Sequence, residues 1–294
     1  MIASNAAPPA PPVPQVKPIA PKRSRSRQTP PATAIANGAV RFGSIAPSDG
    51  HRIQIYGPGG IGKTTLAASA PAPVAMIDLD QSLSRLRAKL DKMALTKTLQ
   101  VVEGVQTWAN LRAMLAAPGW DKIKTIVIDS ITVAEELAVA YTLATVMKER
   151  GDKARNIEDY GYGKGYQHIY ETFLPLLADL DTHTRAGRHV ILVAHECNSN
   201  VPNPMGADWI RYEPRLQTSA SGKASIRLRL KEWVDHVLYV GYDVDVSKDK
   251  KAKGSGTATL YPSELPYFMA KSRTMIESVP LEACYTNLWT KLLI

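Results

Sequence analysis

A glycine-rich run that ends in Lys-Thr is the part of the sequence best suited to chemistry. Residues 57–64 match the pattern G-x-x-x-x-G-K-[ST]. Glycines permit the positive φ angles that turn several main-chain N–H groups towards one anion. A lysine at this place reaches β- and γ-phosphates, and the hydroxyl after it binds Mg²⁺. The predicted phosphate site consists of Gly57, Pro58, Gly59, Gly60, Ile61, Gly62, Lys63, Thr64 and Thr65, with Thr64 as the magnesium ligand.

The flanking residues predict the two elements that such a loop needs. Residues 52–56 are mostly apolar and predict a buried strand, and residues 64–70 predict a helix that ends before Pro71. A helix N-terminus adds unpaired N–H groups and a partial positive charge. The order of strand, loop and helix favours a phosphate site over an incidental glycine turn.

Acidic residues end two further apolar segments. The run 125–128 leads to Asp129, which we predict to bind Mg²⁺ from a strand neighbouring the phosphate loop. Another strand, expected next to the loop, ends in Asp78 and Asp80. Because Ser130 rather than Glu follows Asp129, the catalytic base must come from elsewhere. We predict that Asp80 is this base or orients the attacking water, and Asp78 is a second candidate or a structural acid.

His195 ends the apolar run 190–194, directly before a long polar stretch. At that sheet edge it could hydrogen-bond a γ-phosphate, and a purely structural histidine is the open alternative. Companion ligands at zinc spacing are missing from the sequence around it.

Composition predicts one sizeable domain behind a basic arm. The chain has 294 residues, 45% of them hydrophobic, and a net charge of +9. Residues 1–37 are rich in Pro and Ala and predict a disordered basic arm, and residues 38–294 are expected to form the domain. The sequence shows no long apolar run or signal peptide and only two cysteines, so we expect a cytoplasmic protein.

Strands alternate with helices along most of the chain, which predicts a mostly parallel twisted sheet with helices on both faces. The segment 198–225 has no clear periodicity and is expected to be a loop. Residues 226–230 alternate in polarity and predict a strand. A β-hairpin with its tip at 247–256 and a helix over 281–292 are expected near the C-terminus.

The order of these segments resembles that of the RecA-like P-loop ATPases. It is most similar to the phage and prophage ATP-binding proteins proposed to act in single-strand annealing and recombination, and the likeness covers about residues 39–290. The resemblance implies a RecA-like P-loop NTPase fold, ATP and Mg²⁺ as ligands, and ATP hydrolysis.

The resemblance also implies roles for single residues. Asp80 lies where the family has its catalytic Glu, and His195 lies where it has a γ-phosphate sensor. Lys271 and Arg273 resemble a Lys-Asn-Arg motif whose cations reach the nucleotide of a neighbouring subunit, although Ser272 replaces the Asn. A surface basic pair is the alternative for these two residues.

The implied partners are single-stranded DNA, further copies of the chain in a ring or filament, and a single-strand-binding protein, with no membrane. A phage-encoded protein would act in the bacterial host cell.

The family places DNA-binding loops at positions that correspond to residues 160–166 and 198–225 here. The second segment contains cations and aromatic rings suited to phosphates and bases. These residues are Trp209, Arg211, Tyr212, Arg215 and Lys223. A loop that covers the sheet edge, or a contact between subunits, is the alternative.

Three other classes stay open at this point. A cargo-positioning ATPase of the ParA type shares the loop pattern but has a lysine where this chain has Pro58. A small-molecule kinase would use arginines of the segment 198–225 as a lid. A nucleotide-binding partner protein without hydrolysis would follow if Asp80 is not a working base.

Overall fold

The computed structural model describes residues 50–219, 223–246 and 252–293. The predicted arm, the first residues of the predicted domain and half of the predicted hairpin tip lie outside these ranges.

Strands and helices follow one another along most of the described chain. The strands are β1 (Arg52–Gly57), β2 (Val74–Asp78), β3 (Leu99–Val101), β4 (Thr125–Asp129), β5 (His189–Val201), β6 (Trp209–Pro214), β7 (His236–Val246), β8 (Ala252–Tyr261) and β9 (Val279–Pro280). The helices are α1 (Lys63–Ala68), α2 (Leu83–Lys92), α3 (Trp108–Ala116), α4 (Ile131–Thr145), α5 (Lys164–Arg185), α6 (Ile226–Trp233) and α7 (Leu281–Leu292). Among the described helices, none has both the length and the apolar content needed to cross a bilayer.

The strands form one sheet in the order β3-β2-β4-β5-β1-β7-β8-β9, and β6 pairs with β5 outside this path. The strands from β3 to β7 in that order are all parallel to their neighbours. The pairs β7–β8 and β8–β9 are antiparallel. Apolar clusters cover both faces, with α3, α4, α5 and α6 on one side and α1, α2 and α7 on the other. The expected α/β class, a mostly parallel sheet with helices on both faces and a C-terminal β-hairpin, is confirmed.

The order of the strands differs from the expected one. We expected the strands that lead to Asp129 and Asp80 to neighbour the phosphate loop. Instead β5 lies between β1 and β4, and β2 lies beyond β4. Helical crossovers allow consecutive strands to be placed apart in a parallel sheet, and hydrophobic periodicity carries no information on that order.

Two local predictions were wrong. Part of the expected loop 198–225 is an antiparallel ribbon, in which the far half of β5 pairs with β6. Residues 226–230, expected as a strand, begin α6. The Ser225 hydroxyl accepts the N–H of Leu228 at 3.1 Å and caps this helix. Ile226 and Leu230 are both buried, and their spacing of four suits one face of a helix better than a strand.

Candidate functional site

The predicted site residues meet at the carboxyl edge of the sheet. Gly57 pairs in register with His195 across β1 and β5, and Asp78 pairs with Asp129 across β2 and β4. A cavity of about 330 Å³ opens there. It is lined by the glycine loop with the start of α1, by Asp80, Asp129 and His195, and by one face of α2. This is the crevice where open α/β sheets bind ligands.

The glycines of the loop meet distinct steric demands. Gly60 and Gly62 have φ angles of 77° and 115°, which side chains with a Cβ rarely adopt. A Cβ on Gly57 would lie 2.1 Å from the carbonyl oxygen of Val240 in β7. The loop is therefore held tightly against the neighbouring strand, while Gly59 and Gly60 face open space. This arrangement suits main-chain amides that bind a phosphate chain.

Lys63 lies in the centre of this loop and is buried. Its ammonium group donates to the carbonyl oxygens of Gly57 and Pro58 at 2.8 and 2.7 Å. Burial lowers the pKa of Lys63, and the nearby carboxylate of Asp129 acts in the opposite direction. The side chain is thus placed where a triphosphate can replace carbonyls as its partner.

Thr64 and Asp129 form the pair predicted for magnesium. The Thr64 hydroxyl donates to Asp129 Oδ2 at 2.6 Å. Burial raises the pKa of Asp129 to about 6, against the hydrogen bond from Thr64. A hydroxyl and a carboxylate are hard oxygen ligands of the kind that Mg²⁺ takes, together with phosphate oxygens and water. The donor set therefore fits this ion.

Asp80 and His195 are in direct contact, which the sequence did not predict. Asp80 Oδ2 lies 3.0 Å from His195 Nε2, and Asp80 Oδ1 accepts the Ser130 hydroxyl at 2.8 Å. Burial acts to raise the pKa of Asp80, but the hydrogen bonds from His195 and Ser130 outweigh it, and the pKa is lowered. The main-chain N–H of His195 also donates to the Thr132 hydroxyl at 3.1 Å. The two predicted residues thus form one fixed unit that faces the cavity.

Asp78 has a structural place. Its two carboxylate oxygens accept the main-chain N–H groups of Ser82 and Leu83 at 3.0 and 2.9 Å. These contacts satisfy donors at the start of α2 and set a negative charge at its positive end. The structural reading of Asp78 is the one that this geometry favours.

Lys271 and Arg273 do not reach the cavity within the chain. Lys271 pairs with Val237, and Val237 pairs with Gln54, near the start of β1 and three residues before Gly57. The ammonium group of Lys271 donates to main-chain carbonyls at the end of α6, including that of Val234 at 2.7 Å. Arg273 pairs with Asp235 at 3.1 Å. Both lie towards the amino edge of the sheet, so their predicted action on a neighbouring subunit stays a prediction.

The residues predicted to bind DNA differ in how free they are. Arg211 is only 12% exposed and pairs with Glu213 and Glu264 at 2.9 and 2.7 Å. Tyr212 stacks on Tyr239 at a centroid distance of 5.7 Å. Trp209 is partly exposed on the ribbon. Arg215 and Lys223 are exposed.

The sequence analysis missed the contribution of α2 and α7 to the site. Arg85 and Lys89 of α2 line the cavity. Tyr285 of α7 packs on the loop, because a Cβ on Gly62 would lie 2.7 Å from its hydroxyl oxygen. The sequence held a signal for Arg85 and Lys89, because these two cations lie four residues apart in a helix that follows Asp80. It held no signal for the contact of α7 with the loop.

The sequence matches a family model and is similar to several solved structures. The model of a family described as AAA domain matches residues 49–274, which include the loop and its acidic partners. No curated protein matches the sequence. A KaiC-like protein from Pyrococcus horikoshii OT3 is 15% identical, with a TM-score of 0.42 over 80% of this chain and 85% of that chain. The flagellar accessory protein FlaH from Methanocaldococcus jannaschii is 12% identical, with a TM-score of 0.38 over 80% and 85%. The RadB recombinase is 13% identical, with a TM-score of 0.38 over 74% and 81%. Since the family model spans well over half of the sequence, this chain is a P-loop protein that belongs to the AAA domain family.

Proposed function

We propose that this protein binds ATP with Mg²⁺ and hydrolyses it, and that hydrolysis is linked to single-stranded DNA. The observation that carries the proposal is the meeting of five side chains around one cavity, namely Lys63, Thr64, Asp80, Asp129 and His195. Lys63 and the loop amides would hold the phosphates, and Thr64 with Asp129 would hold the metal ion, which would neutralise charge on the transferred phosphoryl group.

Asp80 would take the part of the water-orienting residue. Its carboxylate faces the cavity and is fixed by Ser130 and His195. Such fixation supports catalysis because orientation of the attacking water is most of what phosphoryl transfer asks of a protein. Its lowered pKa keeps it ionised at neutral pH, and an ionised carboxylate is the form that accepts a hydrogen bond from water.

The ribbon of β5 and β6 is the surface we propose for DNA. It begins next to His195, and the main-chain N–H of Arg215 donates to the His195 carbonyl at 2.8 Å. Trp209, Ile210 and Met205 are exposed along it. Exposed rings and apolar side chains suit stacking on unpaired bases, which every base permits. A change at His195 on hydrolysis would reach this ribbon through its main chain.

Steady-state ATP hydrolysis with and without single-stranded DNA tests this function. Wild-type protein is expected to hydrolyse ATP in a magnesium-dependent manner and faster with DNA. Lys63→Ala should abolish turnover, since it removes the cation at the phosphates. Lys122→Ala is the matched control, because Lys122 is exposed before β4 at the other edge of the sheet.

The remaining outcomes point to the other classes. Turnover that ignores DNA but needs a small acceptor molecule would identify a kinase. ATP binding without turnover would identify a nucleotide-binding partner protein, and the engagement of both Asp80 oxygens is the observation that keeps this class in view.

Within this function we propose the finer role that the resemblance implies, in phage recombination or single-strand annealing. Assembly into a ring or filament would bring Lys271 and Arg273 to a neighbour's nucleotide, with a single-strand-binding protein as a further partner. Arg273→Ala should then reduce hydrolysis without weakening nucleotide binding to the monomer. Annealing of complementary oligonucleotides, followed by fluorescence, would test the role in strand annealing.

A further inference from the structure

One face of α2 forms a wall of the nucleotide cavity. Arg85 and Lys89 lie four residues apart, so their side chains project from the same side of the helix. Both line the cavity that also holds Lys63 and Asp129. Arg87 projects from another side and lines a separate cavity of about 530 Å³. The helix itself is fixed, because Leu83 and Leu90 are buried and Asp78 caps its start.

Arg85 is a cation without a partner of opposite charge. Across residues 50–219, 223–246 and 252–293 its guanidinium group forms no hydrogen bond or ion pair, although its main-chain N–H donates to the Ser82 carbonyl at 3.1 Å within the helix. Within the described part of the chain, the Lys89 ammonium group contacts only the ring of Tyr285, at 5.8 Å from the ring centroid. Arg87, by contrast, pairs with Asp91 at 3.8 Å. Like charges four residues apart destabilise a helix, and an anion placed between them would relieve this cost.

The charge of the cavity gives a second, independent reason. The loop lysine is accompanied by two carboxylates, Asp80 and Asp129, so these three side chains together carry a negative balance. A magnesium–triphosphate complex is also negative and would be repelled by that set. Arg85 and Lys89 reverse the balance to positive, which is the sign that an anionic ligand requires.

We propose that Arg85 binds the terminal phosphate of ATP held by the same chain, and that Lys89 supports it as a second cation on this wall. The inference rests on the proposed function, since it assigns further residues of the same site. It also offers a cation source that needs no neighbouring subunit, unlike the predicted action of Lys271 and Arg273. Arginine suits this task because its planar fork can hold two phosphate oxygens at once.

Nucleotide affinity, measured by fluorescence titration with a non-hydrolysable ATP analogue and with ADP, tests the inference without relying on turnover. Arg85→Ala should weaken binding of the ATP analogue by about tenfold or more, which corresponds to one lost charge-assisted contact. ADP affinity should fall less, because ADP lacks the outermost phosphate. Arg85→Lys should recover part of the loss. Arg87→Ala is the matched control and should bind both nucleotides as the wild type does.

The results separate this inference from the function on which it rests. If the wild type binds neither nucleotide, the proposed function fails, and the assignment of Arg85 fails with it. If the wild type binds and Arg85→Ala binds equally well, only the assignment of Arg85 is overturned. An equal loss for the ATP analogue and ADP would also overturn it, since the contact would then not lie on the terminal phosphate. Thermal unfolding of each variant excludes a folding defect.

Mixing of variants tests whether the contact is made within one chain. Arg85→Ala lacks the wall cation and Lys63→Ala lacks the loop cation. If Arg85 acts within its own chain, every subunit in a mixture of the two has a defective site, so affinity for the ATP analogue stays low. Recovery of high-affinity binding on mixing would show action between subunits and contradict the proposal.

Discussion

Asp78 and Asp80 are two residues apart, yet their carboxylates contact different parts of the molecule. The carboxylate of Asp78 turns towards the main chain of α2 and caps it. The carboxylate of Asp80 lines the cavity beside the glycine loop, and its Oδ2 lies 3.0 Å from His195 Nε2. Both residues are aspartates at the end of the same apolar segment, so the sequence does not distinguish them. Only the geometry shows that Asp78 contacts the start of α2 and that Asp80 lies in the candidate site.

Paired substitutions separate these two carboxylates. Asp80→Asn should reduce ATP hydrolysis by at least about a hundredfold and leave nucleotide affinity nearly unchanged, because it removes the group that orients water. Asp78→Ala should instead lower the free energy of unfolding by about 1–2 kcal/mol, the usual cost of a lost helix cap. Steady-state hydrolysis and denaturant unfolding of both variants check this. Wild-type turnover by Asp80→Asn would remove Asp80 from the mechanism.

At the scale of elements, the ribbon of β5 and β6 is tied to α6 by buried charges. Arg227 of α6 and Glu213 of β6 are both less than a tenth exposed and form an ion pair. Arg227 also donates to the Ser199 hydroxyl at 2.7 Å and to the Leu216 carbonyl at 3.1 Å. Burial acts to raise the pKa of Glu213, but Arg227 and its other partners lower it below its ordinary value. The surface proposed for DNA is therefore held by one helix.

Arg227→Met should lower the free energy of unfolding by about 3 kcal/mol or more, because it leaves Glu213 buried with a single cation. Arg229→Ala is the control on the same helix. The Arg229 side chain is 42% exposed and pairs with the more exposed Glu232 at 3.5 Å, so its loss should change stability by no more than about 0.5 kcal/mol. Urea unfolding measures both. Equal stabilities of the two variants would show that the buried pair does not hold the ribbon.

At the scale of the whole molecule, three histidines meet at the amino edge of the sheet, opposite the cavity beside the glycine loop. His51 Nδ1 lies 3.2 Å from His236 Nε2, and the main-chain N–H of His51 donates to His189 Nδ1 at 3.2 Å. Burial lowers the pKa of His189 and of His236 to about 4. Lys124 acts in the same direction on His189, as do Arg273 and Lys271 on His236, while Asp235 opposes them at His236.

This cluster predicts a loss of stability in mild acid. The unfolded chain binds a proton at each histidine below about pH 6.5, whereas the folded chain resists protonation until about pH 4. The stabilisation is therefore complete above about pH 6.5 and is lost as the pH falls through that window. Between pH 7.5 and pH 5 the loss should be about 2 kcal/mol for each of His189 and His236.

Comparison with His236→Gln isolates this contribution from the carboxylates. Asp129 and Glu135 have pKa values raised to about 6 and about 7 by burial, so acidification acts on them in the opposite direction. Both carboxylates are present in wild type and variant and cancel in the comparison. Denaturant unfolding at the two pH values should show a smaller fall for His236→Gln than for the wild type. Identical falls would exclude His236 as a source of acid sensitivity.

The sequence by itself determined those features whose cause is local. The glycines, Lys63 and Thr64 predicted the phosphate loop because its φ angles and its charge depend on residues within one turn of chain. The predicted helix over 281–292 is α7 at the same bounds, since its apolar spacing is a property of that segment. Asp129 could be placed at a strand end because three apolar, β-branched residues, Ile126, Val127 and Ile128, directly precede it.

Only the tertiary structure decided which distant segments meet. It put β5 between β1 and β4, joined Asp80 to His195 across 115 residues of chain, and turned Arg85 towards the phosphate loop. It also carried Lys271 and Arg273 towards the far edge of the sheet. The physical reason is that strand order follows from how helical crossovers pack on both faces of the sheet, and this depends on the burial of the whole core rather than on any single segment.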